Sequence, residues 1–201
     1  MKKQIHLQRM KINMTYTPKF NEEKAAQLAA YFTAKSGGEI YHLMLMKLLY
    51  IADRNALATL GHTITDDNYV SMDYGPVLSN TLSLIDGSVR SDNSLWVQLL
   101  SPSRNYKIAL LNQTDAIDTG ALSSAELEIA DAVYAQFGQM DRFELADKTH
   151  DFAEWKNPYG SAIPIYYEDI LKAVGFDEVD SNSILQELQD VKSAQDFLNS
   201  L

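Results

Sequence analysis

Between residues 40 and 60 the chain is almost wholly apolar, with Lys47 near the middle of the run and Asp53-Arg54 beyond it. A helix apolar on nearly every side must be surrounded by other elements, so this pattern predicts the axis of the domain, closed by Gly61. A charge inside such a run is costly unless it is paired or its stem carries it to the surface. At about 100° per residue, Leu43, Lys47, Tyr50 and Arg54 share one stripe and Asp53 lies with Met46, Tyr50 and Leu57 on the adjoining one. Two readings follow. Either these polar residues tie a core helix to its neighbours, or Lys47 is a catalytic lysine.

Ahead of that run, Asn21-Glu22-Glu23 places an N-cap and an acidic first turn before alanine-rich periodicity, which predicts a helix ended by Gly37-Gly38. Behind it, residues 63–72 read as a turn and a short extended segment. Asp73-Tyr74-Gly75-Pro76-Val77 then reads as the start of a helix running to about Ile85 and stopped by Asp86-Gly87. Residues 95–100 and 106–111 are strand-like runs separated by turn residues, which predicts a β-hairpin extended by the segment at 68–72 and supported by the helices. Ser123 and Glu126 form a capping box for a helix to about Phe137; Asp141 and Glu144 form a second, for a short helix ending near Thr149-His150. Another short helix is expected after Pro164. Ile184, Leu188, Val191, Ala194, Phe197 and Leu198 recur at helical spacing and predict a terminal amphipathic helix from Ser183, behind a polar linker at 177–182. The expected fold class is mainly α (α+β): a compact helical domain around a central buried helix, with a small β-hairpin or sheet packed on it.

Composition narrows the chemistry. The 201 residues hold no cysteine, which excludes disulfides, thiolate nucleophiles and Cys-type zinc or iron–sulfur sites. His6, His42, His62 and His150 are scattered and form no i, i+4 pair, so neither a metal site nor another cofactor is expected. No uninterrupted apolar run approaches the roughly 18 residues of a membrane span, and no signal peptide is evident, so a cytosolic location is expected. The net charge of −10 is uneven: residues 1–20 carry five cations and no carboxylate, leaving the rest of the chain at −15. An acidic body disfavours nucleic acid, except through that basic leader, and steers basic protein partners towards it.

The motifs of catalysis are thin. There is no Gly-x-Ser-x-Gly elbow and no phosphate-cradling glycine loop, and the carboxylate pairs Asp66-Asp67 and Glu168-Asp169 fit turns and first turns of helices. Tyr74-Gly75-Pro76, Thr149-His150 and Trp155 are more suggestive, because they fall at junctions where binding sites are often built. His150 reads equally as a helix C-terminal cap, and Trp155 as a core anchor.

Lys47-Leu48-Leu49-Tyr50-Ile51-Ala52-Asp53, then Gly61, Tyr69-Val70, Met72 and Tyr74-Gly75-Pro76-Val77, then Thr149-His150, Trp155, Ile165 and Glu168-Asp169-Ile170, together resemble the Panacea domain of the SocA-like antitoxins, related to phage-associated proteins of the GepA type. The likeness covers about residues 21–175, leaving a basic extension at 1–20 and a helical appendage at 176–201. It implies a mostly helical, non-enzymatic domain that neutralises a co-encoded protein toxin by direct contact, with Lys47, Tyr50, Asp53, Arg54, Tyr74, Gly75, Pro76, His150 and Trp155 as candidate partner-binding residues. Asp53→Arg is then expected to abolish rescue from the toxin while the chain stays folded. A second reading makes the chain an adaptor delivering a toxin or other partner to a protease, which adds a cellular protease or chaperone to the expected partners. A third makes it an enzyme on a small molecule or nucleotide, with Lys47 or His150 as acid or base, which a pocket holding both in contact would favour. The oligomeric state, homo-oligomer included, is left open.

Overall fold

A single helix, α2 (His42–Leu60), runs through the middle of the molecule, and every residue from Met44 to Asp53 within it is buried. The computed structural model describes residues 16–89, 93–112 and 117–200. Gly61 ends α2 in the left-handed region, φ +76°, which only glycine adopts without strain. Helix α1 (Glu22–Lys35) packs on α2 through its alanine-rich face, and Asn21 caps it by accepting from Lys24 N–H at 3.1 Å. Helices α5 (Ser124–Phe137), α6 (Arg142–Thr149) and α7 (Tyr167–Ala173) complete the jacket around α2. One apolar core joins Leu28 and Phe32 of α1, Leu48 and Leu49 of α2, Val133 of α5, Leu145 of α6 and Ile170 of α7. Mainly α with a small β part is therefore the fold class, as the hydrophobic pattern predicts.

The β part is built differently from the expectation. Strand β1 (Glu39–Tyr41) pairs antiparallel with β4 (Lys107–Ala109), placing Ile40 opposite Ile108 in the core. A second sheet has the order β3-β2-β5, from β2 (Tyr69–Met72), β3 (Gly75–Leu78) and β5 (Ile163–Ile165), all antiparallel. The expected strand at 95–100 is instead the short helix α4 (Leu95–Leu99), which buries Trp96; only Leu100 bridges to Leu110. Gly75-Pro76-Val77 does not open a helix. It forms the returning strand of a hairpin, and α3 (Ser79–Asp86) starts after it. Leu78 offers α3 no side-chain cap, and Asp67 supplies one from a distance, accepting from Asn80 N–H at 2.8 Å and Thr81 N–H at 2.9 Å. Pro164 lies in β5, an edge strand, where its missing N–H costs no ladder bond.

The terminal helix, α8 (Glu178–Leu198), begins five residues before Ser183, because the polar stretch taken for a linker is its cap and first turns: Asp177 accepts from Val179 and Asp180 N–H. It packs on α7 and is tied to the segment before α1 by Lys19 to Asp196 and by Lys192 Nζ donating to Thr17 O. Of the basic leader, residues 1–15 lie outside the described residues.

Candidate functional site

Most of the residues singled out in the sequence meet along one interior seam, where α2 faces the β2–β3 hairpin, the end of α6 and the loop after it. Lys47 is fully buried, and its Nζ donates to the carbonyl oxygen of Pro76 at 2.7 Å. Among the described residues no carboxylate pairs with it, and burial pulls its pKa down to about 7. Gly75 stands beside this bond at φ +90°; a Cβ there would overlap Thr149 Oγ1 and come within 3.2 Å of Lys47 Nζ. Thr149 is the last residue of α6, so α2 and α6 both close on Gly75 and leave room only for glycine.

One to two turns along α2, Asp53 is wholly buried and takes four donors. Its Oδ1 accepts from Ile64 N–H (2.8 Å) and Thr65 N–H (3.0 Å); its Oδ2 accepts from Tyr69 O–H (2.9 Å) and Thr65 O–H. Burial pushes the carboxyl up to about 7 against the pull of those donors. Asp53 thus fastens the loop leaving α2 and the start of β2. An arginine could neither fit nor accept these bonds, so Asp53→Arg tests folding and not recognition, which corrects the expectation of a folded variant.

Tyr50 and Arg54 converge on a buried acid, Glu154. Tyr50 O–H donates to Glu154 Oε1 at 2.9 Å and Arg54 Nε to the same oxygen at 2.6 Å, while the Arg54 guanidinium lies 4.3 Å from the centre of the Phe152 ring. The loop is thereby held against α2. Trp155 follows, donating from Nε1 to Met72 O at 3.1 Å and stacking on His150 with ring centres 4.1 Å apart. His150 is the C-cap residue of α6, where its cap reading put it, and its Nε2 is buried with no partner among the described residues.

Tyr74 alone of the nine candidates is exposed, at 62 %, on the tip of the β2–β3 hairpin; Lys47, Tyr50, Asp53, Gly75 and Pro76 are buried, and Arg54, His150 and Trp155 half-buried. Beside Tyr74 opens a groove of about 310 Å³ whose lining includes His42, Leu43, Met46, Val77 and Ile85, with Lys47 at its inner wall. His150 does not line it, so the two candidates for an acid or base do not share that groove. Among the described residues no group of three His, Cys, Asp or Glu side chains could hold a metal ion, and no helix is long and apolar enough to cross a membrane.

The seam is thus a structural joint, and its elements, α2 from Leu45 to the loop holding Glu154 and Trp155, are the part of the chain that a family description matches: "Antitoxin SocA-like, Panacea domain", over residues 45–156. The chain belongs to the SocA-like antitoxin family. The Panacea match takes in α2, the hairpin, α3 to α6 and Trp155, while α1, α7 and α8 fall outside it. No curated protein and no solved structure matches the chain. Sequence reasoning missed Glu154, although an acid between Phe152 and Trp155 in an aromatic loop is a signal. It also missed Arg142 and Phe143 at the start of α6, where a cation in a helix's first turn is an odd placement.

Proposed function

We propose that the chain is the antitoxin of a two-protein pair, a cytoplasmic, non-enzymatic domain that neutralises a co-encoded protein toxin by direct contact. The observation that carries this reading is the Panacea match itself, which spans the seam and takes in Tyr74 and part of the groove beside it. The arrangement of polar groups agrees with it. Lys47, Asp53, Glu154 and Trp155 spend their polar atoms on internal partners that fix the hairpin and loop on α2, as a rigid binding scaffold requires. A chain of net charge −10 favours encounter with a basic partner. We take residues 21–175 as the working unit, with the leader and α8 as accessories.

Co-expression with the product of the neighbouring reading frame tests this. The reading predicts growth arrest by the neighbour alone, relief by this chain, and a complex that survives purification. A harmless neighbour, or relief with no complex, refutes it. Relief accompanied by protease-dependent loss of the toxin is the adaptor outcome, which α8 favours: Val191, Phe197 and Leu198 are exposed along it. Phe197→Asp with Leu198→Asp would then remove relief while the toxin stays bound.

A further inference from the structure

We infer that the face made by Tyr41, Tyr74, Arg142 and Phe143, together with the groove beside Tyr74, docks a protein segment in which a carboxylate stands beside bulky apolar side chains. This rests on the antitoxin reading and specifies the face and the chemistry of its contact.

The face is continuous. The Arg142 guanidinium lies 3.7 Å from the centre of the Tyr41 ring and 4.7 Å from that of Phe143, and the Phe143 ring stands 6.4 Å from that of Tyr74. On the other flank His42 meets the Tyr106 ring edge-on at 5.8 Å. Tyr41, Tyr74, Tyr106 and Phe143 are all exposed, and the groove, which Tyr74 and His42 line, descends beside them to Leu43, Met46, Val77 and Ile85. Aromatic residues and arginine beside an apolar pocket are the composition from which interface anchors are drawn, and a methionine in the lining adapts to the side chain that enters.

Charge selects the occupant. Arg142 stands in the first turn of α6, the helix end that disfavours a cation, and among the described residues no carboxylate pairs with it. The first turn of α2 opens beside it with no acidic residue and no side-chain cap from Tyr41. Lys107 lies over the same Tyr41 ring at 5.0 Å, already paired with Glu39, and Asp73 at the groove's rim accepts from Gly160 N–H. Arg142 is thus a cation without a counter-ion on an aromatic face of an acidic protein. A partner carboxylate would meet its guanidinium with two N–H bonds, and the apolar neighbours of that carboxylate would fill the groove. At this face a basic or neutral contact segment, even on a partner that is basic overall, would strip water from Arg142 and return nothing. The chain's own α8 offers a comparable mixture, Asp190-Val191 and Asp196-Phe197-Leu198, but α8 is fastened to its own body through Lys19, which pairs with Asp196, and Lys192. The occupant is therefore a separate protein.

Short random peptides displayed on phage, selected against the full chain, test this without the neighbouring gene product. The expected peptides carry Asp or Glu next to Phe, Trp or Leu. Arg142→Glu weakens them by about tenfold or more, as does Tyr74→Ala with Phe143→Ala, while Phe197→Ser leaves them unchanged. Arg142→Gln, a gentler change, gives the same direction should the charge reversal disturb α6. Selected peptides without an acid, binding indifferent to Arg142, or no peptides at all would overturn the proposal. So would a wild-type dimer in sedimentation that Arg142→Glu dissociates, which makes the occupant a second copy. A neighbour that proves harmless tells against the antitoxin reading alone, because the selection does not involve it.

Discussion

Lys47 Nζ donates to the carbonyl oxygen of Pro76 across 2.7 Å from within the core, and no counter-ion among the described residues accompanies it. The bond fastens β3 to the middle of α2 and satisfies a buried carbonyl. Its cost is the burial of an ammonium, which is why the Lys47 pKa falls to about 7.

That depression sets a pH dependence. Between about pH 7 and the unfolded value of about 10.4, the unfolded chain binds a proton at Lys47 that the native chain does not. Stability from this group therefore rises with pH across that window, by at most about 1.4 kcal/mol per unit, and is flat below it. Urea unfolding of wild type and Lys47→Met should show the wild type gaining on the variant from pH 7 towards pH 10. Parallel profiles would mean that Lys47 is not buried as described.

Gly75→Ala should destabilise by about 3 kcal/mol or more, since it adds a left-handed non-glycine residue and an overlap with Thr149 Oγ1. Thr149→Ala removes the overlap but not the backbone strain. The double variant should recover part of the loss in a thermodynamic cycle, and strict additivity would contradict the contact.

Glu154→Ala leaves Arg54 and the Tyr50 hydroxyl without their shared buried acceptor, and a loss of about 3–5 kcal/mol is expected. Glu154→Gln keeps an acceptor for one donor and should lose less. Melting curves of the two check this, and equal, small losses would count against the joint.

Much of the helical frame was legible. The apolar run with Gly61 at its end gave α2, and Asn21 and the Ser123–Glu126 box marked the starts of α1 and α5, because caps and periodicity are local signals. The sheets were not. Leu95-Trp96-Val97-Gln98-Leu99 suits either period, and the true partner of Lys107–Ala109 is the distant Glu39–Tyr41, a three-residue strand that a sequence reading absorbs into α2. Gly75-Pro76 suits a helix start or a strand equally well, and contact with Lys47 and Thr149 decides it. In the site, spacing found the joint but could not separate scaffold from surface. Asp53 and Tyr74 carry the same weight in the motif, yet one is wholly buried and the other mostly exposed.

That separation is itself testable. Tyr74→Ala, at an exposed hairpin tip, should leave stability within about 0.5 kcal/mol of wild type, whereas Asp53→Ala strands four donors and should lose several times more. Chemical denaturation of the two variants side by side measures the difference, and comparable losses would contradict the assignment.

The most direct measurement is calorimetric titration of the purified chain with the product of the neighbouring reading frame, comparing wild type with Arg142→Glu. The account predicts saturable binding by wild type and its loss or strong weakening in a variant that melts normally. A neighbour that is toxic yet gives no binding to the wild-type chain would contradict neutralisation by direct contact.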